Sequence, residues 1–102
     1  MDGVIRVDRV AAQFEVWFDD SFPFAKIKVK ILERTAGDYL AISNVAVRNY
    51  VSREPEWTSG IGDTIEEAKQ DLLTRFIDEA RQHVPPGGFT EADFIWSACE
   101  EF

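Results

Sequence analysis

The sequence has little of the chemistry on which most active sites depend. Its 102 residues include one cysteine, Cys99, and one histidine, His83. A metal centre needs several His, Cys or carboxylate ligands at suitable spacing, and neither residue belongs to such a motif. A lone thiol cannot form an internal disulfide, and without a recognisable general base it does not indicate a nucleophile. We therefore predict no catalytic residue, no metal and no cofactor, and we expect a protein that is not an enzyme.

Long apolar runs are also missing. No stretch of about 18 apolar residues occurs, which argues against a membrane-spanning helix. Residues 1–6 lack a basic segment followed by an apolar one, so they do not indicate a signal peptide. We expect a single domain over residues 1–102, without a membrane partner and located in the cytoplasm.

Basic residues are scarce in the second half of the chain. The net charge is −8; residues 1–53 carry 8 Lys and Arg against 7 Asp and Glu, whereas residues 54–102 carry 3 against 12. The second half repels a phosphate backbone, so we predict no direct binding of nucleic acid. Its charge favours a basic protein partner, or serves only to keep the protein soluble.

The strongest pattern present is a helix that begins after Thr64. Thr64 and Glu67 are spaced as a capping box, in which each side chain accepts the backbone N–H of the other residue. Gly60 and Gly62 precede the helix, but neither the Walker lysine nor the dinucleotide fingerprint accompanies them, so we expect these glycines to permit a bulge or a positive φ. His83 lies at the helix end, where the helix dipole favours a cation. The apolar face consists of Ile65, Ala68, Leu72, Phe76, Ala80 and Val84.

Short strands are predicted around this helix, and a second capped segment follows it at Thr90 and Asp93. Alternating apolar and polar residues indicate most of the strands. The fold class is therefore α+β: an antiparallel sheet of three to five strands with one long helix packed on one face and a short C-terminal helical segment. The predicted strands cover residues 4–10, 10–18, 26–31, 39–43, 44–50 and 57–61.

Three features are candidates for partner binding. Trp17 falls on the strand face opposite Phe14 and Val16, so we expect it to be exposed, as interaction aromatics are. Three lysines share one face of the next strand, where they either bind a partner or protect the sheet edge from pairing with other chains. The outer face of the helix is acidic. The charged candidates are Lys26, Lys28 and Lys30 on the strand, and Glu66, Glu67, Asp71, Asp78 and Glu79 on the helix.

One segment resembles a known family. The run Gly62-Asp63-Thr64-Ile65-Glu66-Glu67-Ala68 with the following leucines, and the hairpin 37–42, resemble HicB-type antitoxin domains. The resemblance covers residues 26–80 and implies a strand-rich α+β fold and a role in masking a toxin. The family's proline-glycine-cysteine segment is replaced here by residues 44–56, and residues 90–102 are too few for the family's DNA-binding module. The resemblance therefore does not extend to regulation of an operon.

These patterns predict a small, acidic, non-enzymatic protein that binds and neutralises another protein, as antitoxins and immunity proteins do. One alternative is a phage-encoded inhibitor of a nucleic-acid enzyme, of the anti-restriction or anti-CRISPR type, whose acidic helix face imitates a run of phosphates. A second alternative is a small structural module that forms a homodimer through a strand edge.

Overall fold

Residues 2–102 are described by a computed structural model, in which they form seven strands, one long α-helix and one 3-10 turn. The predicted α+β class is confirmed. The elements are β1 (Arg9–Trp17), β2 (Lys26–Glu33), β3 (Tyr39–Ser43), β4 (Val45–Arg48), β5 (Pro55–Glu56), β6 (Ser59–Gly62), α1 (Ile65–Gln82), the 3-10 turn Glu91–Asp93 and β7 (Phe94–Trp96).

The strands form two antiparallel sheets. The larger sheet has the order β1-β2-β3-β6, and helix α1 packs against one of its faces. The smaller sheet has the order β5-β4-β7 and continues the core beyond the larger one. The sequence predicts a single sheet. A second sheet forms because the segment after the 3-10 turn pairs with β4 as a strand and does not continue as a helix. The fully buried members of the core include Ile27, Val29, Ile31, Val45, Val47, Leu72 and Phe76.

Alternation along β2 places its apolar and charged residues on opposite faces. Ile27, Val29 and Ile31 are buried against the helix, whereas Lys26 and Lys28 are exposed on the outer face of the sheet. The same alternation in β1 turns Ala12, Phe14 and Val16 inward, whereas Val10, which precedes a bulge in the strand, is exposed. A period of two residues therefore gives the correct faces for β2 and for β1 after the bulge.

Helix α1 begins as predicted but ends earlier. Thr64 Oγ1 accepts the Glu67 N–H at 3.1 Å, which confirms half of the capping box. The Glu67 carboxylate does not reach the Thr64 N–H and accepts the Asp63 N–H at 2.9 Å. The helix ends at Gln82 with His83 as its cap, so Val84 lies beyond the helix and is half exposed.

The two glycines of β6 have neither a positive φ nor a bulge in their pairing with β3, so both of the predicted roles are wrong. A Cβ atom at Gly60 would lie 2.3 Å from Leu72 N and 2.5 Å from Ala68 O, and one at Gly62 would lie 2.5 Å from Ala68 N. All three distances are too short for the Cβ atom of any side chain. Glycine is required here because β6 lies directly against the helix backbone.

The strand predicted over residues 4–10 is wrong for residues 4–8. Arg9 pairs with Glu33, the last residue of β2, so earlier residues have no neighbouring strand. They continue past the sheet as an arm, defined here as residues 2–8. In this arm Ile5 is 102% exposed and Val7 is 86% exposed.

We expect the substitution Gly60→Ala to lower the free energy of unfolding by about 3 kcal/mol, because its methyl group forces β6 away from the helix. The urea midpoint measures this change. Ser59→Ala, on the exposed face of the same strand, is the control and should change stability by less than about 0.5 kcal/mol. Equal effects of the two substitutions would contradict the close approach.

Candidate protein-binding surfaces

The acidic face of α1 is largely engaged within the chain. Glu66 accepts a hydrogen bond from Lys69 at 2.8 Å and another from Gln70, and the Lys69 bond in particular lowers the pKa of Glu66. The Glu67 carboxylate is engaged at the helix start, as described above. Both carboxylates are exposed.

The remaining acidic candidates follow the same pattern with one exception. Asp71 accepts the Ile61 N–H at 2.9 Å and also contacts an arginine one turn later; these bonds lower its pKa, the first more than the second. Glu79 lies 3.1 Å from His83 Nε2. Among the described residues, Asp78 alone of the five has no hydrogen-bond or ion-pair partner. The helix therefore does not present a row of free carboxylates.

Trp17 is exposed as predicted, at 67%. Lys26 Nζ lies 5.0 Å from the centre of its ring and 2.7 Å from Glu15 Oε2. The hydrogen bond from Lys26 lowers the pKa of Glu15. Trp17 is thus held at the end of β1 by a neighbour on the same face of the sheet.

The other two lysines of β2 differ in their surroundings. Lys30 Nζ lies 4.7 Å from the ring centre of Phe102, which places the end of the chain over the outer face of the sheet. Lys28 is exposed and adjoins a shallow cavity that Phe102 also lines. The three lysines therefore do not form one uninterrupted basic surface.

A groove of about 880 Å³ runs between the end of β1 and the C-terminal half of α1. Trp17 stands beside it, and Asp19, Asp20 and Arg81 supply its charged groups. Ser21 hydrogen-bonds to Asp19 and lowers the pKa of that carboxyl. The groove is large enough for a small molecule but has few polar groups to orient one. Its apolar lining includes Val16, Phe22, Leu73, Ile77, Val84 and Phe89.

The most constrained exposed segment is the loop 49–54 between β4 and β5, which we name the hairpin tip. All six of its backbone N–H groups donate hydrogen bonds within the chain. Asn49 organises it: its Oδ1 accepts the N–H groups of Val51 and Ser52 at 2.9 and 3.1 Å. The Tyr50 N–H donates to His83 Nδ1 at 3.2 Å, which ties the hairpin tip to the end of α1.

Arg53 fixes the other side of the hairpin tip. Its φ of 64° lies in the left-handed region, which is strained for a residue with a side chain. Its guanidinium donates to Asp93 Oδ1 at 3.0 Å and to the Ala92 carbonyl at 2.9 Å. Two contacts with the 3-10 turn therefore compensate for an unfavourable backbone conformation.

The hairpin tip presents apolar surface. Tyr50 is 46% exposed and Val51 is 88% exposed, although the backbone that carries them is fully hydrogen-bonded. This feature was not predicted, because Tyr50 was assigned to the strand over residues 44–50. The residue of the sequence that indicates this loop is Asn49, because an asparagine side chain accepts backbone N–H groups two and three residues later in tight turns.

Glu56, Glu79 and His83 bring potential metal ligands within 4.8 Å of one another. The ring of His83 is engaged on both sides: Nδ1 accepts the Tyr50 N–H, so the proton of the neutral ring lies on Nε2 and faces Glu79. Neither nitrogen then has a lone pair free for a cation. The cluster is better suited to holding the hairpin tip than to binding a metal.

No family model, curated protein or solved structure matches the chain. Within residues 2–102, no helix is long and apolar enough to cross a membrane.

We expect Asn49→Ala to loosen the hairpin tip, because two N–H groups lose their acceptor. The loss of about 1 kcal/mol should accelerate hydrogen exchange at the amides of Val51 and Ser52 about fivefold. Gln70→Ala, which removes a side-chain hydrogen bond on the helix surface, is the control and should leave both amides unchanged. Unchanged exchange in Asn49→Ala would show that this side chain does not hold the loop.

We expect Asp93 to make folding sensitive to acid. Burial opposes its charge, but the Thr90 N–H and Arg53 hydrogen-bond to the carboxylate and lower its pKa below the ordinary 3.8. Because the folded pKa is lowered, the stabilisation is complete above the unfolded value and is lost as the pH falls through the folded one.

Asp93→Asn should therefore cost about 2 kcal/mol at neutral pH and flatten the loss of stability below about pH 4. Urea unfolding measured across this pH range tests both effects. Asp78→Asn is the control, since Asp78 has no partner among the described residues, and it should retain the pH profile of the unaltered protein. A parallel profile in Asp93→Asn would contradict the assignment.

Proposed function

We propose that this protein is a non-enzymatic binder that contacts and neutralises another protein through the hairpin tip. The observation that carries the proposal is the rigid presentation of Tyr50 and Val51. A loop that is already ordered loses less conformational entropy on binding than a flexible one. Tyrosine is also among the residues that contribute most to protein interfaces.

The backbone strain at Arg53 supports the same proposal. Strained conformations persist where surrounding contacts enforce them, and they occur most often at functional sites. Here the contacts with Asp93 and Ala92 hold Arg53 in place while the loop projects from the smaller sheet. The chain thus maintains a defined shape at a position where a simple polar turn would connect the strands at lower cost.

The charge of the surroundings suggests the chemistry of the partner. Glu54 in the hairpin tip and Glu91 in the 3-10 turn are exposed. Together with the excess of acidic residues after residue 53, they favour a partner with an apolar pocket bordered by basic residues. Such a partner agrees with the toxin-masking role that the resemblance to HicB-type antitoxins implies.

The phosphate-mimic alternative receives less support. It requires free, regularly spaced carboxylates, whereas most of the acidic candidates on α1 are engaged by neighbouring N–H groups or cationic side chains. Asp78 is the exception. We therefore place the interaction on the hairpin tip and not on the helix.

The proposal is tested by affinity capture from the host lysate, with identification of captured proteins by mass spectrometry. The double substitution Tyr50→Ala with Val51→Ala should abolish a capture that the unaltered protein gives. With the purified partner, loss of about 2 kcal/mol should raise Kd about 30-fold. The partner's own activity should fall when the unaltered protein is added.

Ile61→Ala is the matched control, because Ile61 is 49% exposed but lies on the outer face of the larger sheet. It should leave Kd unchanged. Equal binding by the double variant would contradict the hairpin tip as the contact, and binding without inhibition would contradict neutralisation.

A further inference from the structure

The arm of residues 2–8 exposes apolar side chains that the monomer does not use. Ile5 and Val7 are almost fully exposed, and Val4 is half exposed. The arm continues directly from β1, which lies at the edge of the larger sheet and pairs only with β2. An exposed apolar segment next to an open strand edge is a feature that proteins normally cover.

The backbone groups at this open edge can be assigned. The Phe18 N–H donates to the Ala25 carbonyl, so even-numbered residues after the bulge of β1 face β2. The N–H and C=O groups of Gln13, Glu15 and Trp17 therefore face the open edge. Their side chains lie on the outer face of the sheet, opposite the helix.

Before the bulge, it is the even-numbered residues of β1 whose backbone groups face the open edge. Val10 pairs with Leu32 and Ala12 with Ile31, which leaves Ala11 as the additional residue. If the arm continues the path of β1, the backbone groups of residues 4, 6 and 8 face the open edge. Residues 5 and 7 then have their side chains on the helix side of the sheet.

We propose that two copies of this chain pair through β1 and its arm, antiparallel about a two-fold axis at the bulge. In this register Arg6 lies opposite Glu15 of the second copy, residue 4 opposite Trp17, and residue 8 opposite residue 13. Ile5 and Val7 then cover residues 16 and 14 on the helix side. The two larger sheets join into one sheet of eight strands.

Neighbouring registers are less favourable. A shift of one residue places the unpaired N–H and C=O groups of one copy opposite groups that already bond to β2 in the other copy. Only shifts by two residues are therefore possible. A shift of two in one direction places Asp8 opposite Glu15, which brings like charges together. A shift of two residues in the other direction separates Glu15 from Arg6 and places Trp17 opposite Asp2. The proposed register brings Arg6 to Glu15 and residue 4 to Trp17 at once, and Arg6 and Glu15 then exchange the partners Asp8 and Lys26 that they have within the chain. Its one like-charge pair, Asp2 with Asp19, lies beyond the end of β1.

The distribution of charge also favours a second copy at this edge. Residues 2–17 carry two arginines against three carboxylates, although the whole chain has a net charge of −8. The lysines of β2 lie on the same side of the molecule. Two copies therefore repel each other less at β1 than at the acidic helix. A contact between identical surfaces also pairs both β1 strands and leaves neither of them as a free edge.

Sedimentation equilibrium tests the association. The unaltered protein should have twice the chain mass of 11.6 kDa, and the variant with Ile5→Asp and Val7→Asp should have the mass of one chain. Both side chains are exposed in the monomer, so the substitutions leave its fold intact, which circular dichroism and urea unfolding verify. Val51→Asp is the matched control, with similar exposure at the hairpin tip, and it should remain dimeric.

Disulfide formation tests the register. In a Cys99→Ser background, Asp8→Cys with Gln13→Cys should give a covalent dimer, because directly opposite Cα atoms are about 5.5 Å apart and within disulfide range. Asp8→Cys with Glu15→Cys should not, because the diagonal distance is about 7 to 8 Å. A monomeric unaltered protein, a dimeric Ile5→Asp and Val7→Asp variant, or equal cross-linking of the two pairs would overturn the proposal.

Discussion

Strand β6 lies so close to helix α1 that a methyl group at Gly60 would overlap the backbone of Leu72. This contact sets the distance between the helix and the larger sheet, and the apolar residues of β2 are buried as a result. It also brings Asp71 to the N–H of Ile61, so one of the charged candidates of the helix helps to hold the strand. The position of the helix end follows, and with it the position of His83 beneath the hairpin tip.

The polar groups of the protein are used mainly to fix its backbone. Asn49, Arg53 and Asp93 together hold one loop and one 3-10 turn, and the acidic residues of α1 bind N–H groups and neighbouring cations. The hairpin tip and the arm, at two different places on the surface, both expose apolar side chains. Two separate contacts are therefore consistent with one another, one for a different protein and one for a second copy of the chain.

Much of the fold follows from local patterns. Alternation predicted β2 to within two residues of its end, the bounds of β3 were predicted correctly, and spacing with a capping threonine predicted the start of α1. Prediction was poorer where pairing depends on a distant strand. Residues 4–8 have strand composition but no neighbour, and β7 is a strand because β4 lies beside it. The exposure of Trp17 was predictable from alternation, whereas the hairpin tip was not, since its hydrogen bonds come from residues up to 40 positions away in the chain.

The sequence by itself determined the fold class, the faces of the main strands and the exposure of Trp17, because these depend on the periods of two and 3.6 residues that neighbouring positions impose. The tertiary structure decided the rest. Only the packing of β6 on α1 explains why Gly60 and Gly62 are glycines. Only the meeting of β4, α1 and the 3-10 turn makes a rigid surface of the hairpin tip, because hydrogen bonds between distant residues require a folded chain to bring their atoms together.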